Sequence, residues 1–331
     1  MQRVETRAQP VSVATRRSRW LTGDRLTAVL MLLPSIVAIA VFVYGFIAWT
    51  GYVSLSAWTS LKTDYSYVGF GNYAAIFKEP RFWSNVRNLV VFTSIFLVAC
   101  LVIGLGLALM VDARIRAEAF FRSVYIFPMA LSFIVTGVAW RWIFTPGDAD
   151  PTGLNLIFHN FGLDFLKGDW IADKRVLPGW YPDWSRARIG VPMALIPVII
   201  AAVWQMSGFT MAMYLAGLRA IPEDVKEAAR VDGCTEWQLF RNVTFPLLRP
   251  ITLSAVIILG HISLKIFDLV VTMTGGGPGN LTEVPGLLMY ALTFSQNNIA
   301  QGAAVATMML LLISVLIVPY LIYNRRTELD S

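Results

Sequence analysis

Long apolar segments without charged residues alternate with short polar connections along this chain. Five of these segments exceed about 18 residues, which is the length that a helix needs to cross a bilayer. A sixth segment meets Lys265 and Asp268 but continues apolar to Met273. In chain order, the six segments are Thr27–Leu61, Asn88–Val111, Ser123–Trp140, Ile189–Leu218, Pro250–Leu264 and Val284–Asn324. The pattern predicts an all-α membrane protein with six transmembrane helices.

The first and last segments are longer than one span needs, so we expect each to include an interfacial piece. In the last segment, Val284–Asn298 is expected to be that piece and Ala303–Tyr323 the span. The start of the chain does not resemble a cleavable signal peptide, because its basic stretch and its apolar run are both too long. We therefore predict a basic tail over residues 1–25, a six-span domain over 26–324 and a short tail over 325–331.

Lysine and arginine in the short connections predict the orientation of the spans, because cytoplasmic loops carry an excess of them. One side carries sixteen, whereas the connection Thr274–Gln301 on the other side carries none. The sixteen are Arg3, Arg7, Arg16, Arg17, Arg19, Arg25, Arg114, Arg116, Arg122, Arg219, Lys226, Arg230, Arg241, Arg249, Arg325 and Arg326. Two longer loops, 52–87 and 145–188, carry nine on the other side, but long loops count less. Both termini and the polar insert at 219–250 are therefore expected in the cytoplasm.

Composition agrees with a membrane protein: 56% of the residues are hydrophobic and only 15% are charged. The basic pI of about 9.4 then indicates orientation and contact with anionic lipid rather than binding of nucleic acid. Cys100 and Cys234 lie in dissimilar segments, so no disulfide framework is expected. His159 and His261 are far apart and have no companions for a metal site. No nucleophile and base can be paired, so an enzyme is not expected.

The polar insert at 219–250 carries the signals of two helices separated by a glycine. Pro222 suits a first helical turn, and the acidic residues after it favour a helix N-terminus. Gly233 can end this helix in the left-handed conformation. Thr235–Gln238 has the pattern of a capping box, and we expect the second helix to break at Pro246. Composition alone is equally consistent with a solvated amphipathic loop.

The spacing inside the insert resembles the EAA loop of permease subunits of binding-protein-dependent ABC importers. Glu227 opens an E-A-A triplet, three residues separate this triplet from Gly233, and nine residues separate Gly233 from Val243. Phe245 and Pro246 then stand where that pattern has Leu-Pro. Further segments resemble the MalF-type sugar permeases, most closely the glucose/mannose subgroup. These segments are Val68–Tyr73, Ala130–Trp142, Trp204–Leu218, His261–Leu269 and Gly275–Asn280 with Glu283.

The resemblance implies the fold of an ABC type I importer permease and a role in sugar import at the inner (plasma) membrane. It implies four kinds of partner: a second homologous permease subunit, two ABC ATPase subunits, an extracytoplasmic solute-binding protein and a sugar such as glucose or mannose. An α-glucoside or a glycerol phosphate is the alternative substrate. The residues implied in coupling to the ATPase are Glu227, Ala228, Ala229, Asp232, Gly233 and Pro246.

The chain itself is expected to hold no cofactor and to hydrolyse no ATP. Its glycine cluster Gly275–Gly279 lacks the G-K-[ST] ending that binds phosphate and Mg²⁺. ATP is therefore expected to be used by the partner ATPase. The cluster is either a flexible turn or a contact for the binding protein. The aromatic residues of the outer loop are either interfacial anchors or a docking surface; they are Trp170, Trp180, Tyr181 and Trp184.

Polar and aromatic side chains within the fourth and fifth spans are candidates for the path of the sugar. They are Trp204, Gln205, Ser207, Phe209, His261, Ser263, Lys265 and Asp268. Ordinary helix packing would also explain the small polar residues. Lys265 and Asp268 would pair with each other and join helices, or line the path. The same two residues support a rival hypothesis, an ion-coupled secondary transporter, although no internal inverted repeat is evident.

Overall fold

The computed structural model describes residues 23–113, 117–147, 151–181 and 187–329. The tail arginines up to Arg19, together with Arg114, Arg116 and Trp184, lie outside the described residues. In the described residues the α-helices are α1 Gly23–Ile39, α2 Phe46–Ser54, α3 Gly71–Lys78, α4 Pro80–Asp112, α5 Glu118–Ile126, α6 Phe133–Phe144, α7 Gly153–Asn160, α8 Leu195–Ala220, α9 Glu223–Val231, α10 Glu236–Leu239, α11 Phe245–Leu247, α12 Arg249–Leu264, α13 Asp268–Met273, α14 Pro285–Tyr290 and α15 Ile299–Leu329.

Three helices of the described residues are long and apolar enough to cross a membrane without interruption. They are Thr27–Ser54, Pro80–Asp112 and Leu195–Ala220. Two further spans form only if a bent pair of helices counts as one, which makes up to five, and Ile299–Val315 is a shorter apolar helix. The sixth span and the orientation therefore stay predictions.

The third and fifth predicted spans are broken rather than straight. In the third, the helices on either side of the break are inclined at 99°. The break follows a 3-10 turn at Phe127–Ala130 that contains Pro128, which lacks a backbone donor. Ser132 then caps α6 by accepting a hydrogen bond from the Val135 N–H at 3.3 Å. In the fifth, α12 ends at Leu264 and the chain becomes helical again only at α13.

Charge-free runs also include structure other than the spanning helix, and one predicted boundary is wrong for this reason. The first run was expected to include an interfacial piece, and α2 ends at Ser54, where the Asn72 side chain donates to the Ser54 and Ser56 carbonyls at 2.9 and 2.8 Å. The fourth run was expected to be helical from Ile189, which instead begins a β-strand.

A small sheet makes the fold mostly helical rather than all-α. Strand β1, Val176–Trp180, pairs antiparallel with β2, Ile189–Pro192. A short apolar run does not by itself distinguish a strand from a helix, which explains the error. The division of the last run is confirmed: α14 and a π-helical turn at Ala291–Ser295 precede α15, which starts at Ile299.

The described residues up to Trp49 form one compact unit, and those from Thr50 onward form a second. In the first, α1 and the start of α2 present exposed apolar side chains, which suits a lipid environment. In the second, α8 is central, because 67% of its apolar window is buried, against 28% for α4. The two helices pack closely where Gly104 lies against Thr210, and a Cβ at Gly104 would overlap that side chain.

Cysteine labelling in intact cells tests the predicted orientation. A membrane-impermeant thiol reagent should label Gly279→Cys from outside, because this residue lies in the exposed connection after α13. It should not reach Cys234 or Thr235→Cys unless the membrane is opened. The native Cys100 is fully buried and should stay unlabelled in either case. Labelling at position 235 but not at position 279 in intact cells would show that the orientation is the opposite of the one predicted.

Candidate functional site

The polar insert begins with the short helix α9, which follows Pro222 and has no buried residue. The helix ends at Val231, and Gly233 then adopts a φ of +84°. A Cβ added at Gly233 would meet no atom within 4 Å, so the conformation rather than the space requires glycine. The predicted left-handed stop is confirmed.

The second helix of the insert begins with the predicted capping box. The Thr235 hydroxyl accepts from the Gln238 backbone N–H at 3.3 Å, and the Gln238 side-chain Oε1 accepts from the Thr235 backbone N–H at 2.8 Å. The predicted break at Pro246 does not occur. This proline occupies the first turn of α11, where a missing N–H is tolerated. The bend of 59° comes after Leu247, before α12.

Ion pairs join the two helices of the insert. Arg230 on α9 lies 3.3 Å from Glu223 and 3.0 Å from Glu236 on α10, and Lys226 lies 3.3 Å from Glu223. The hydrogen bond from Lys226, reinforced by Arg230, lowers the pKa of Glu223 below its ordinary value. The carboxylate is therefore ionised at neutral pH, and the charge pairs persist there.

The outer surface of the insert combines charged and apolar side chains. Glu227 and Ala228 are exposed, Val231 is 86% exposed and Trp237 is 67% exposed. The Trp237 ring stacks on Phe240, with centroids 5.7 Å apart. An exposed aromatic side chain such as Trp237 beside a short charged helix is a typical contact surface for another protein.

The insert is attached to the membrane domain through Arg219, at the end of α8. Its guanidinium lies 2.6 Å from the Glu118 carboxylate on α5 and 3.7 Å from Asp112 on α4. These residues and the first turn of α9 line an open cleft of about 1170 Å³. Sequence reasoning used Arg219 only as a topology signal, because its two acidic partners lie about one hundred residues away.

Gln205, the main sugar-path candidate, is 2% exposed and bonds to the broken third span. Its Nε2 donates to the Leu131 carbonyl at 2.7 Å, immediately after the 3-10 turn. Its Oε1 has no hydrogen-bond partner in the described part of the chain. One turn further along α8, Gly208 lies against the Tyr125 carbonyl so closely that a Cβ would overlap it. Gln205 and Gly208 therefore hold the bend of the third span against α8.

Other candidates on α8 occupy a different environment. Trp204 and Ser207 line a mainly apolar cavity of about 690 Å³, and the Trp204 ring meets Trp140 of α6 edge-on at 5.7 Å. Phe209 is half-buried and packs against the main hydrophobic core. The structure therefore does not bring all four α8 candidates together.

The candidates near the fifth span are separated by the break in that span. Ser263 is fully buried; its hydroxyl donates to the Gly260 carbonyl at 2.8 Å and accepts from Thr93 of α4 at 3.0 Å. His261 is half-buried. Lys265 and Asp268 are exposed, and the structure, which describes both residues, shows no ion pair within 4 Å between them. The predicted pair does not form because α12 ends at Leu264, just before Lys265, and Asp268 begins α13, so the two residues do not share one helix face.

A buried ion pair that sequence reasoning missed fixes the glycine-rich turn after α13. Glu283 is 2% exposed, and its carboxylate accepts from Arg81 at 2.5 and 2.8 Å and from Asn85 at 2.9 Å. The Asn88 Nδ2 donates to the Glu283 and Asn280 carbonyls at 2.8 and 3.3 Å. Arg81, Asn85 and Asn88 are spaced three or four residues apart, so they lie on one face of α4. This spacing was the signal in the sequence that this face of α4 has a polar partner. The turn is anchored rather than free.

Residues 101–328 match the family model described as the inner membrane component of binding-protein-dependent transport systems. The chain belongs to this family. The permease is 39% identical to a probable ABC transporter permease protein of Pyrococcus horikoshii, over 91% of this chain and 96% of that relative. It is 34% identical to a xylose/arabinose import permease protein of Haloferax volcanii, over 87% of this chain and 84% of that relative.

The fold of the permease matches a solved structure of a bacterial alginate ABC transporter in complex with an alginate pentasaccharide-bound periplasmic protein. The TM-score is 0.71, with 92% of this chain and 96% of that chain covered. At 19% identity, this likeness shows the fold alone. Together these relatives are transport subunits rather than enzymes, and the permease is one of them.

Proposed function

We propose that the permease is the membrane subunit of an ATP-driven sugar importer. It receives a sugar from an extracytoplasmic binding protein and passes it across the membrane beside a second, homologous permease. Two separate ABC ATPases supply the energy. The observation that carries this proposal is the exposed helix α9 with its left-handed stop at Gly233, in a member of this transport family.

The proposed coupling residues lie on the part of the chain best suited to contact another protein. Glu227 and Ala228 are exposed on α9, and Ala229 is half-buried. Asp232 and Gly233 form the end of the helix. Small side chains allow a partner surface to approach the backbone, and Glu227 offers it an acceptor. ATP-driven closure of the two ATPases would then bias the membrane domain between inward- and outward-open states.

The proposed substrate is a neutral sugar, of which glucose and mannose are the first candidates. The Haloferax volcanii relative is named for xylose and arabinose, which are also neutral. Gln205 carries an unsatisfied buried acceptor that a sugar hydroxyl would satisfy. Phe209 would offer an aromatic face to C–H groups. An α-glucoside would use the same chemistry, whereas a glycerol phosphate would need cations.

Transport into proteoliposomes separates this proposal from an ion-coupled transporter. The permease pair is reconstituted with ATP and with or without the ATPase, and labelled sugar is supplied on its binding protein. We expect uptake only when the ATPase, ATP and the binding protein are all present. Uptake driven by an ion gradient without the ATPase would overturn the proposal in favour of the rival.

Loss of the Gln205 side chain should reduce sugar uptake about tenfold, equivalent to about 1.4 kcal/mol. Gln205→Ala removes both the bond to Leu131 and the acceptor proposed for the sugar. Uptake of labelled glucose is measured per assembled complex, together with Phe209→Ala and Ser263→Ala.

Thr210→Ala is the matched control, because Thr210 is a buried polar residue of the same helix that bonds only its own helix at Met206. It should change uptake less than about twofold, because the Thr210 hydroxyl is not among the groups proposed to bind the sugar. Parental uptake in Gln205→Ala, Phe209→Ala and Ser263→Ala would place the sugar site elsewhere, including wholly in the partner permease.

A further inference from the structure

A basic cleft opens beside the start of α4, on the face predicted to lie outside the membrane. It encloses about 450 Å³. Three cationic residues line it, Arg87, Lys174 and Arg188, together with Pro278 and Gly279 of the anchored turn. The lining residues that the structure describes include no aspartate or glutamate. Among the described residues, the cleft therefore presents positive charge that no lining carboxylate offsets.

Arg87 is fixed in the cleft by neutral acceptors. Its Nε and Nη2 donate to the Asn88 Oδ1 at 3.1 and 2.8 Å, and its Nη1 donates to the Arg188 carbonyl at 2.8 Å. These bonds orient the guanidinium but leave its charge uncompensated. Lys174 and Arg188 are exposed, and neither lies within 4 Å of a carboxylate in the described part of the chain.

Two other cations of the loop that connects α6 to α8 are paired. Arg175, next to Lys174, lies 2.6 Å from Asp173, and Lys167 lies 2.5 Å from Asp164. Unpaired cations are therefore not a general property of this loop. Among its described residues, the two unpaired cations, Lys174 and Arg188, both line the cleft.

The wall of the cleft is held in place before any partner binds. Asn88 accepts from Arg87 through Oδ1 and donates through Nδ2 to the carbonyls of Asn280 and Glu283, in the turn that carries Pro278. One amide thus fixes both the cation at the cleft and the backbone opposite it. A prearranged site loses little conformational entropy when a ligand enters.

We propose that this cleft receives a carboxylate side chain from the surface of the solute-binding protein. The inference rests on the function proposed above. Two guanidinium groups and one ammonium group around one opening match a carboxylate, and such charge-assisted hydrogen bonds are about twice as strong as neutral ones. The apolar wall at Pro278 contacts the carbon stem of an aspartate or glutamate. The unpaired charges also steer an acidic surface to this face.

Titration of the complete transporter in lipid nanodiscs with its cognate, sugar-loaded binding protein tests the cleft. The test variant is Lys174→Glu/Arg188→Glu, which reverses two exposed charges and leaves Arg87 in place. The control is Lys62→Glu/Lys78→Glu, which makes the same change in charge at two exposed lysines outside the cleft. Basal ATP hydrolysis and the melting temperature verify that both variants are intact.

We expect the test variant to raise the Kd at least tenfold and to reduce the dependence of the Kd on salt. The control should change the Kd less than about twofold. Equal losses of affinity in the test and control variants would indicate a general effect of charge and would disprove docking at the cleft. An unchanged Kd in the test variant, with normal binding by the parent, would disprove docking at the cleft and leave the proposed function standing.

Two further outcomes distinguish the remaining possibilities. If the parent transporter neither binds the binding protein nor is stimulated by it, the proposed function fails and the cleft proposal fails with it. Inorganic phosphate is titrated separately, without the binding protein. Phosphate binding that the test variant abolishes, with an unchanged Kd for the binding protein, would assign the cleft to free anions and overturn a docking role.

Discussion

Gly233→Val should separate the permease from its ATPase while leaving the membrane domain folded. Gly233 has a φ of +84°, which costs an L-residue about 1–2 kcal/mol and a β-branched residue more. Helix α9 has no buried residue, so little else holds its end in place. We expect at least a tenfold loss of co-purified ATPase and of sugar-stimulated ATP hydrolysis, and Glu227→Lys should act in the same direction by reversing a charge.

Gly162→Val is a matched control for this strain. Gly162 follows the end of α7 with a φ of +69°, and a Cβ there would also meet no atom within 4 Å. It lies in the loop 145–188, which is predicted to face outside. The same backbone penalty should therefore leave ATPase binding unchanged. Normal assembly and stimulation in both Gly233→Val and Glu227→Lys would disprove the coupling role of α9.

Arg81→Met should destabilise the permease by about 3–5 kcal/mol, because it leaves a buried carboxylate without its cation. The Glu283 side chain is 3% exposed, and Asn85 would be its only remaining side-chain donor in the described residues. The double variant Arg81→Met/Glu283→Met should recover much of this loss, since no unpaired charge remains. The free energy of unfolding of the purified complex in SDS is the measurement.

Arg175→Met is the control for the loss of an arginine on the same face. The Arg175 side chain is 72% exposed, and ion pairs in contact with solvent contribute little to stability. This variant should unfold like the parent. A double variant at Arg81 and Glu283 that is as unstable as the single one would show that shape, rather than charge, makes this contact important.

Local signals predicted the insert well, whereas long-range contacts could not be predicted. Pro222, Gly233 and the Thr235–Gln238 box each act on neighbouring backbone, so their effects follow from a few residues of sequence. The Arg81–Glu283 pair joins residues 202 positions apart. No spacing rule connects them, although the recurrence of polar residues along the start of α4 indicated that this face has a partner.

The error at Lys265 and Asp268 has a different physical origin. Their spacing places them on one face only if the helix is continuous, and α12 ends just before Lys265. Likewise, the apolar residues from Ile189 form a strand because β1 provides its pairing partner. Hydropathy predicts burial in both cases, but tertiary packing decides where a helix begins or ends.

The bend in the third span divides it into two stiff halves, and one side-chain hydrogen bond from Gln205 joins the bend to α8. The first half, α5, carries Glu118, which is bonded to Arg219 at the root of the insert. The second half, α6, packs on α13, where Gly137 lies against Thr272. Rotation about the bend would disturb the bond from Gln205, about 0.5–1.5 kcal/mol, and the contact of Gly208 with Tyr125, whereas bending a continuous helix would break several backbone bonds. The bend therefore provides a hinge at which the end of the span that contacts the insert can turn relative to the end that contacts α13.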